Sequence, residues 1–187
     1  MSLIPFWQPI LVSAVFVFFA SSAINMALKF WHAPDYRGFS NEDEVAAAMR
    51  KGNPAPGVYV IPFCAPESFK DPAVKAKFEQ GPIAKINLSP NGMFNLGRFL
   101  GAWFLFCLVV SVACAGLAAH ALPPHPGTHA ILHTTGLGAL LGYSFGEATN
   151  SIWRAQPWIV SIKYAIDGLV YAAITAATFA WLWPAAA

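Results

Sequence analysis

The stretch FLGAWFLFCLVVSVACAGLAAHALPPHPGTHAILHTTGLGALLGYSFG, residues 99–146, decides the fold, because none of its 48 residues is Asp, Glu, Lys or Arg. A helix that crosses a bilayer needs about 20 consecutive, mainly apolar residues. The stretch is therefore long enough for two crossings. The segment LPPHPG at 122–127 supplies the turn between them, since proline cannot continue a helix. Residues 1–28 and 168–187 also contain no charged side chain, so the chain is predicted to cross a membrane several times.

The composition points to the same class of protein. Apolar residues make up 57% of the chain and charged residues 11%, whereas about a quarter of an ordinary soluble domain is charged. A soluble domain of 187 residues could not keep so much apolar surface away from water. The net charge of +2 and the lack of a basic run give no sign of a nucleic-acid-binding protein.

The predicted fold is an α-helical integral membrane protein with four transmembrane helices and a small α+β insert between helices 1 and 2. No cationic region precedes the first apolar stretch, so we expect this helix to be retained rather than cleaved as a signal peptide. The predicted crossings are residues 9–29, 98–120, 128–150 and 158–183. The corresponding domains are 1–31 for helix 1, 32–97 for the insert and 98–187 for helices 2–4.

The insert carries the signals of a folded unit. Acidic residues at 42–44 and the basic pair 50–51 before Gly52 predict a helix over 42–51. A second helix is predicted to begin at Pro72 and to end before Gly81. Strands are predicted at 58–61 and 83–88, where β-branched and alternating apolar residues are bounded by turn residues.

The basic residues at the helix ends predict the orientation. All of them fall on the side of the insert, and the positive-inside rule then places the insert in the cytoplasm and both termini in the periplasm. A multi-pass protein of the bacterial inner membrane is the expected localisation. The residues concerned are Lys29, Arg37, Lys85, Arg98, Arg154 and Lys163.

Small residues recur at every fourth position in helices 3 and 4. Such rows let two helix backbones approach closely within a lipid environment. We interpret them mainly as contacts between neighbouring helices of this chain, with a contact to another protein as the alternative. The residues are Gly138, Gly142, Gly146, Gly168, Ala172, Ala176 and Ala180.

Four charged residues near the cytoplasmic ends of helices 3 and 4 form a predicted ion-pair cluster. Lys163 and Asp167 are four residues apart and share one helical face, and Glu147 and Arg154 are further candidate members. A structural ion pair is the first interpretation. A proton or ligand site is the alternative, because carboxylates within membrane helices often serve those functions.

Three histidines near the outer turn between helices 2 and 3 are weak candidates for a metal or haem site. His129 and His133 have the i,i+4 spacing of two metal ligands, and His120 precedes the turn. No acidic residue lies on that side to complete a site, so the histidines are interpreted as solvated or interfacial and no metal is predicted.

The remaining residues indicate membrane contacts rather than catalysis. Fifteen Phe and seven Trp suit lipid contacts, and contact with haem, quinone or a pigment stays open. Ser21, Ser22 and Asn25 are expected to form hydrogen bonds between helices. No nucleophile–base set and no phosphate-binding loop is recognisable, so no cofactor and no catalytic residue is predicted.

Several segments carry a family resemblance that spans nearly the whole chain. They are NPAPGVYVIP at 53–62, Gly81–Pro82, SIWRAQPW at 151–158, and the ending from Asp167 to Pro184. With them the chain resembles a family of short, uncharacterised bacterial inner membrane proteins with four helices. The resemblance implies a bacterial inner membrane location and implies no mechanism.

These patterns favour a non-catalytic accessory or scaffold subunit of a larger membrane complex. Its expected partners are membrane lipids and other membrane protein subunits, and not nucleic acid; a respiratory or photosynthetic complex is one candidate host. One alternative is a small transporter or membrane enzyme that uses Asp167, Lys163 and Glu147. Another is an outward-facing metal or haem binder.

Overall fold

Helix α5, Leu96–Ala121, is the longest element of the computed structural model, which describes residues 3–184. Asn95 caps its first turn, because the side-chain oxygen accepts a hydrogen bond from the backbone N–H of Arg98 at 3.1 Å. The helix ends just before the predicted proline-rich turn. Residues 1–2 and 185–187 lie outside the described part, and with them the ends of the predicted domains and the predicted placement of both chain termini.

Residues 3–184 contain seven further α-helices and two strands. Three stretches are long and apolar enough to cross a membrane: Ile4–Ala27, Leu96–Ala121 and Trp158–Trp181, of 24, 26 and 24 residues. The other helices are α1 Trp7–Ser22, α2 Lys29–His32, α3 Glu42–Lys51, α4 Pro72–Gln80, α6 Thr128–Tyr143, α7 Ala148–Arg154 and α8 Trp158–Trp181, and the strands are β1 Gly57–Ile61 and β2 Ala84–Leu88. The described part of the chain is thus mostly helical, with three candidate membrane spans.

The third predicted crossing, residues 128–150, is not one continuous helix. Helix α6 has 16 residues, or roughly 24 Å at 1.5 Å per residue, against a hydrocarbon core of about 30 Å. A 3₁₀ turn, Phe145–Glu147, separates it from α7. The hydroxyl of Ser144 donates at 3.2 Å to the carbonyl of Ala165 in α8, which ties the break to the neighbouring helix.

Helix α6 nevertheless belongs to the same bundle as the three long helices. Helix α1 packs against α5 and α8, and α6 also packs against α5 and α8, so the four helices form a ring around one core. Fully buried core side chains come from all four helices: Val17, Cys107, Cys114, Thr135, Thr175 and Phe179. Large apolar side chains on the outer faces are exposed, as lipid-facing positions are: Phe16, Phe19, Leu105, Val109, Leu132, Leu137 and Leu169.

The insert, residues 37–94, is a second compact unit. Strands β1 and β2 form an antiparallel hairpin in which Gly57 faces Leu88 and Ile61 faces Ala84. The predicted helix over 42–51 and the hairpin insert between the first two spans are confirmed. Helix α4 begins as predicted at Pro72, where the carboxylate of Asp71 accepts the N–H of Ala73 at 2.8 Å.

None of residues 37–94 is buried. A two-stranded sheet is at best marginally stable in water without a hydrophobic face that packs on another element. Nine large apolar side chains of this unit are exposed: Phe39, Val58, Tyr59, Ile61, Phe63, Phe69, Ile83, Met93 and Phe94. The insert therefore has secondary structure without a core of its own.

The boundary of the insert differs from the sequence-based one of 32–97. Residues 3–36 belong with residues 95–184 to the helical unit. His32 and Asp35, which the sequence places in the insert, are thus part of the helical unit.

Candidate functional site

The most polar part of the helical unit is a buried cluster between α8 and the segment that follows the first span. Helix α8 presents Lys163 and Asp167 on one face, because residues four apart stack on a helix. The segment, residues 29–36, consists of α2, the 3₁₀ turn Ala33–Asp35 and Tyr36. It brings Trp31, His32 and Asp35 to that face.

Asp167 lies at the centre of the cluster. Its Oδ1 accepts the indole N–H of Trp31 at 2.8 Å, and its Oδ2 lies 2.7 Å from Nε2 of His32. The side chains of Asp167 and His32 are only 4% and 7% exposed. Both carboxylate oxygens therefore have a partner, as a buried charge requires.

Asp35 joins the histidine to the lysine. Its Oδ2 lies 3.2 Å from Nδ1 of His32, and its Oδ1 accepts a hydrogen bond from Nζ of Lys163 at 2.6 Å. The ammonium of Lys163 also donates to the backbone carbonyl of Trp31 at 2.7 Å and lies 5.5 Å from the centroid of the Trp31 ring. Charge-assisted hydrogen bonds thereby join α2, the 3₁₀ turn that follows it and α8.

The Lys163 ammonium holds the pKa of Asp35 below its ordinary value of 3.8, and the hydrogen bond to His32 acts in the same direction against desolvation. Asp35 is therefore ionised at neutral pH and available as an acceptor.

Tyr164 covers the other side of the site. Its ring stacks on the His32 ring at 4.5 Å between centroids, and its hydroxyl lies 3.3 Å from that of Tyr36.

The predicted ion-pair cluster needs correction in its partners. Lys163 and Asp167 share a face but do not pair with each other in the described part of the chain; Lys163 pairs with Asp35, and Asp167 with His32. The carboxylate of Glu147 instead accepts the side-chain N–H of Asn150 at 3.0 Å. Arg154 is exposed at the end of α7. The structure therefore does not gather the four residues into one site.

Three of the four glycines predicted to pack lie at close helix contacts. A Cβ on Gly138 would lie 2.9 Å from Leu117, and one on Gly142 would lie 3.1 Å from Val110, both in α5. A Cβ on Gly168 would collide with Ser144 and lie 3.0 Å from the backbone carbonyl of Tyr143.

In α8, Ala172 and Ala176 are buried and Ala180 is half-buried. Gly136 of α6, which the sequence reasoning did not include, would place a Cβ 3.3 Å from Ala176. Gly146 lies in the 3₁₀ turn beyond α6 with nothing within 4 Å of its Cβ position, so the structure assigns it no packing contact.

The three candidate metal histidines are exposed. His120 places Nδ1 2.8 Å from the carbonyl of Gly116 in its own helix, and the rings of His129 and His133 stack at 6.2 Å. Within residues 3–184 no group of three or more His, Cys, Asp or Glu side chains is placed to hold a metal ion.

Other polar side chains link the helices inside the bundle. The indole N–H of Trp103 donates to the hydroxyl of Ser21 at 2.7 Å, which confirms that Ser21 forms a bond between helices. Ser22 bonds instead to the backbone carbonyl of Phe18 in its own helix. Asn25 donates to the carbonyl of Ser21, and its side chain also has a hydrogen-bond contact with Tyr171 of α8. The hydroxyls of Ser13 and Ser111 lie 2.9 Å apart and add a second link between α1 and α5.

A cavity of about 430 Å³ opens on a different face of α8. It is lined on α8 by Trp158, Ser161, Ile162, Ala165, Ile166 and Leu169. At 100° per residue these positions are centred on the side of α8 away from Lys163 and Asp167. The lining includes none of the five cluster residues Trp31, His32, Asp35, Lys163 and Asp167.

Sequence reasoning found Lys163 and Asp167 but missed Trp31, His32 and Asp35. A signal was present, because His32 and Asp35 have i,i+3 spacing directly after the first apolar stretch. They also fall on the same predicted side as Lys163 and Asp167. Two opposite charges and a histidine at one end of two neighbouring spans are a pattern that favours pairing.

Comparisons with protein-family models, with curated proteins and with solved structures each found no match to this chain.

Proposed function

We propose that the chain is a non-catalytic accessory or scaffold subunit of a larger bacterial inner-membrane assembly, and that the insert docks a partner polypeptide. The observation that carries this proposal is the lack of any buried residue in 37–94 together with its nine exposed large apolar side chains. Exposed apolar surface of this kind marks an interaction site. A partner that covers this surface would supply the missing hydrophobic core.

The charge of the insert favours a polypeptide over a lipid surface as the partner. Residues 37–94 contain seven Lys and Arg and six Asp and Glu, a net charge of 7 − 6 = +1. Attraction to anionic lipid takes a cluster of about four to eight basic residues, each contributing about 1 kcal/mol. The sheet that the structure describes in the insert has only two strands, and the edge strands of a sheet accept an added strand.

The buried cluster supports a structural rather than a catalytic role for Asp167. Both of its oxygens are occupied, and its side chain is 4% exposed. A transporter or enzyme that used Asp167, Lys163 and Glu147 would need a solvent path to them, and Glu147 bonds elsewhere. The cluster instead ties segment 29–36 to α8 within the helical unit.

The proposal includes four crossings, with both termini periplasmic and the insert cytoplasmic, and kinship with the four-helix inner membrane family. Packing of α6 between α5 and α8 supports a fourth crossing, although α6 alone is short. The basic residues at the helix ends support the orientation.

A photo-crosslinking residue at Val58 tests the docking proposal in intact cells. Val58 is 73% exposed on the hairpin, and Lys75 on α4, with a side chain 74% exposed, is the matched polar control. We expect a discrete crosslink from Val58 to one membrane protein, no such crosslink from Lys75, and co-purification of that protein in mild detergent. A partner-free protein with no protein crosslink from Val58 would refute the proposal.

A further inference from the structure

The hydrogen-bond arrangement around His32 requires one more proton than a neutral imidazole between two ionised carboxylates supplies. Both ring nitrogens face carboxylate oxygens, Nδ1 toward Asp35 at 3.2 Å and Nε2 toward Asp167 at 2.7 Å. A carboxylate only accepts, and a neutral imidazole has a single N–H. One of the two contacts would then bring a nitrogen lone pair against a carboxylate.

An additional proton removes this conflict wherever it resides among the three groups. On the imidazole it provides a second N–H donor; on a carboxyl it provides an O–H donor toward the ring nitrogen. Protons in such coupled groups belong to the set rather than to one residue. The Lys163 ammonium lowers the pKa of Asp35 and so disfavours the proton on that carboxyl.

Charge counting leads to the same conclusion. Asp35 and Asp167 carry two negative charges and Lys163 one positive charge, so the additional proton makes the cluster neutral. The side chains of these three residues and of His32 are between 4% and 15% exposed. An uncompensated charge at that depth is costly. The other titratable group against His32 is Tyr164, which stacks on its ring and contacts Tyr36.

We propose that His32, Asp35 and Asp167 bind a single proton as their ligand, and that this proton holds segment 29–36 against α8. The proton lies between residues of the segment and a residue of α8, so it is bound in the closed arrangement and is released when the segment leaves α8. Raising the pH therefore favours the open arrangement, because opening releases a proton to solution. The site is a proton-controlled latch at the point where the first span leads into the insert.

Hydrogen–deuterium exchange of the full-length protein in nanodiscs tests the latch. The opening constant of segment 29–36 is obtained from its exchange rate after correction for the intrinsic pH dependence of amide exchange. Because opening releases one proton, the logarithm of the opening constant should rise by about one per pH unit above about pH 6.5, where a solvated histidine is neutral.

Asp35→Asn gives a decisive comparison. The asparagine oxygen can accept from Lys163 while its amide donates to Nδ1 of a neutral His32, whose Nε2–H still donates to Asp167. The variant should keep segment 29–36 protected and lose the pH slope. His120→Gln, a change at an exposed histidine, should keep the full slope.

A pH-independent opening constant in the unaltered protein would overturn the proposal. So would an equal slope in Asp35→Asn, a slope lost in His120→Gln, or a segment 29–36 that is unprotected at every pH.

Discussion

Replacement of Asp167 separates the hydrogen-bond pattern of the cluster from its charge. Asp167→Ala removes both acceptors and leaves the indole N–H of Trp31 and Nε2 of His32 without partners. Each buried group that loses its partner costs about 1–3 kcal/mol, and removal of one member of a buried ion pair costs about 3–5 kcal/mol. These estimates describe the same loss, so we expect a decrease of about 3–5 kcal/mol in the free energy of unfolding.

Asp167→Asn should cost much less. Its oxygen can still accept from Trp31, and its amide can donate to Nε2 of a neutral His32, whose Nδ1–H then donates to Asp35. Both contacts survive but lose their charge, and neutral hydrogen bonds are about half as strong as charge-assisted ones. The expected decrease is about 1–2 kcal/mol.

Reversible unfolding in mixed micelles, followed by circular dichroism, measures these differences. Ile166→Ala is the matched control, since it alters the adjacent residue of α8, whose side chain is 45% exposed; its effect should stay within about 1 kcal/mol. An Asp167→Asn variant as unstable as Asp167→Ala would show that the charge, not the hydrogen-bond pattern, carries the stability. Values for both variants within the control range would refute a stabilising role for the cluster.

Two further predictions concern helix packing and acid stability. Gly168→Ala should lower the free energy of unfolding by about 1–3 kcal/mol, because its Cβ would lie 3.0 Å from the Tyr143 backbone; Gly116→Ala, with nothing within 4 Å, should not lower it. Lys163 lowers the pKa of Asp35 in the folded protein. The stabilisation by ionised Asp35 is therefore fully present above its pKa in the unfolded chain, about 3.9. It is lost only as the pH falls through the lower pKa of the folded protein. Protection of segment 29–36 against exchange should therefore persist at about pH 4 and disappear on further acidification, whereas loss of protection already near pH 5 would contradict this sign.

The helices and the hairpin insert could be predicted because their signals are local. Uncharged runs of 20 or more residues predict spans, and the acidic start and basic end of residues 42–51 predict a helix. The break of α6 at Ser144 escaped prediction, because the chain there stays uncharged through Gly146. The hydroxyl of Ser144 bonds to Ala165, a contact that no local pattern announces.

The sequence by itself determined that Lys163 and Asp167 share one face of the last helix, since a spacing of four residues is a property of the helix alone. It also determined that the charged residues collect at one end of the apolar stretches. Only the tertiary structure decided which groups meet them. His32 and Asp167 are 135 residues apart, and Asp35 and Lys163 are 128 apart. Such contacts arise because the chain after the first span folds back onto α8, and burial there then requires every charge to find a partner.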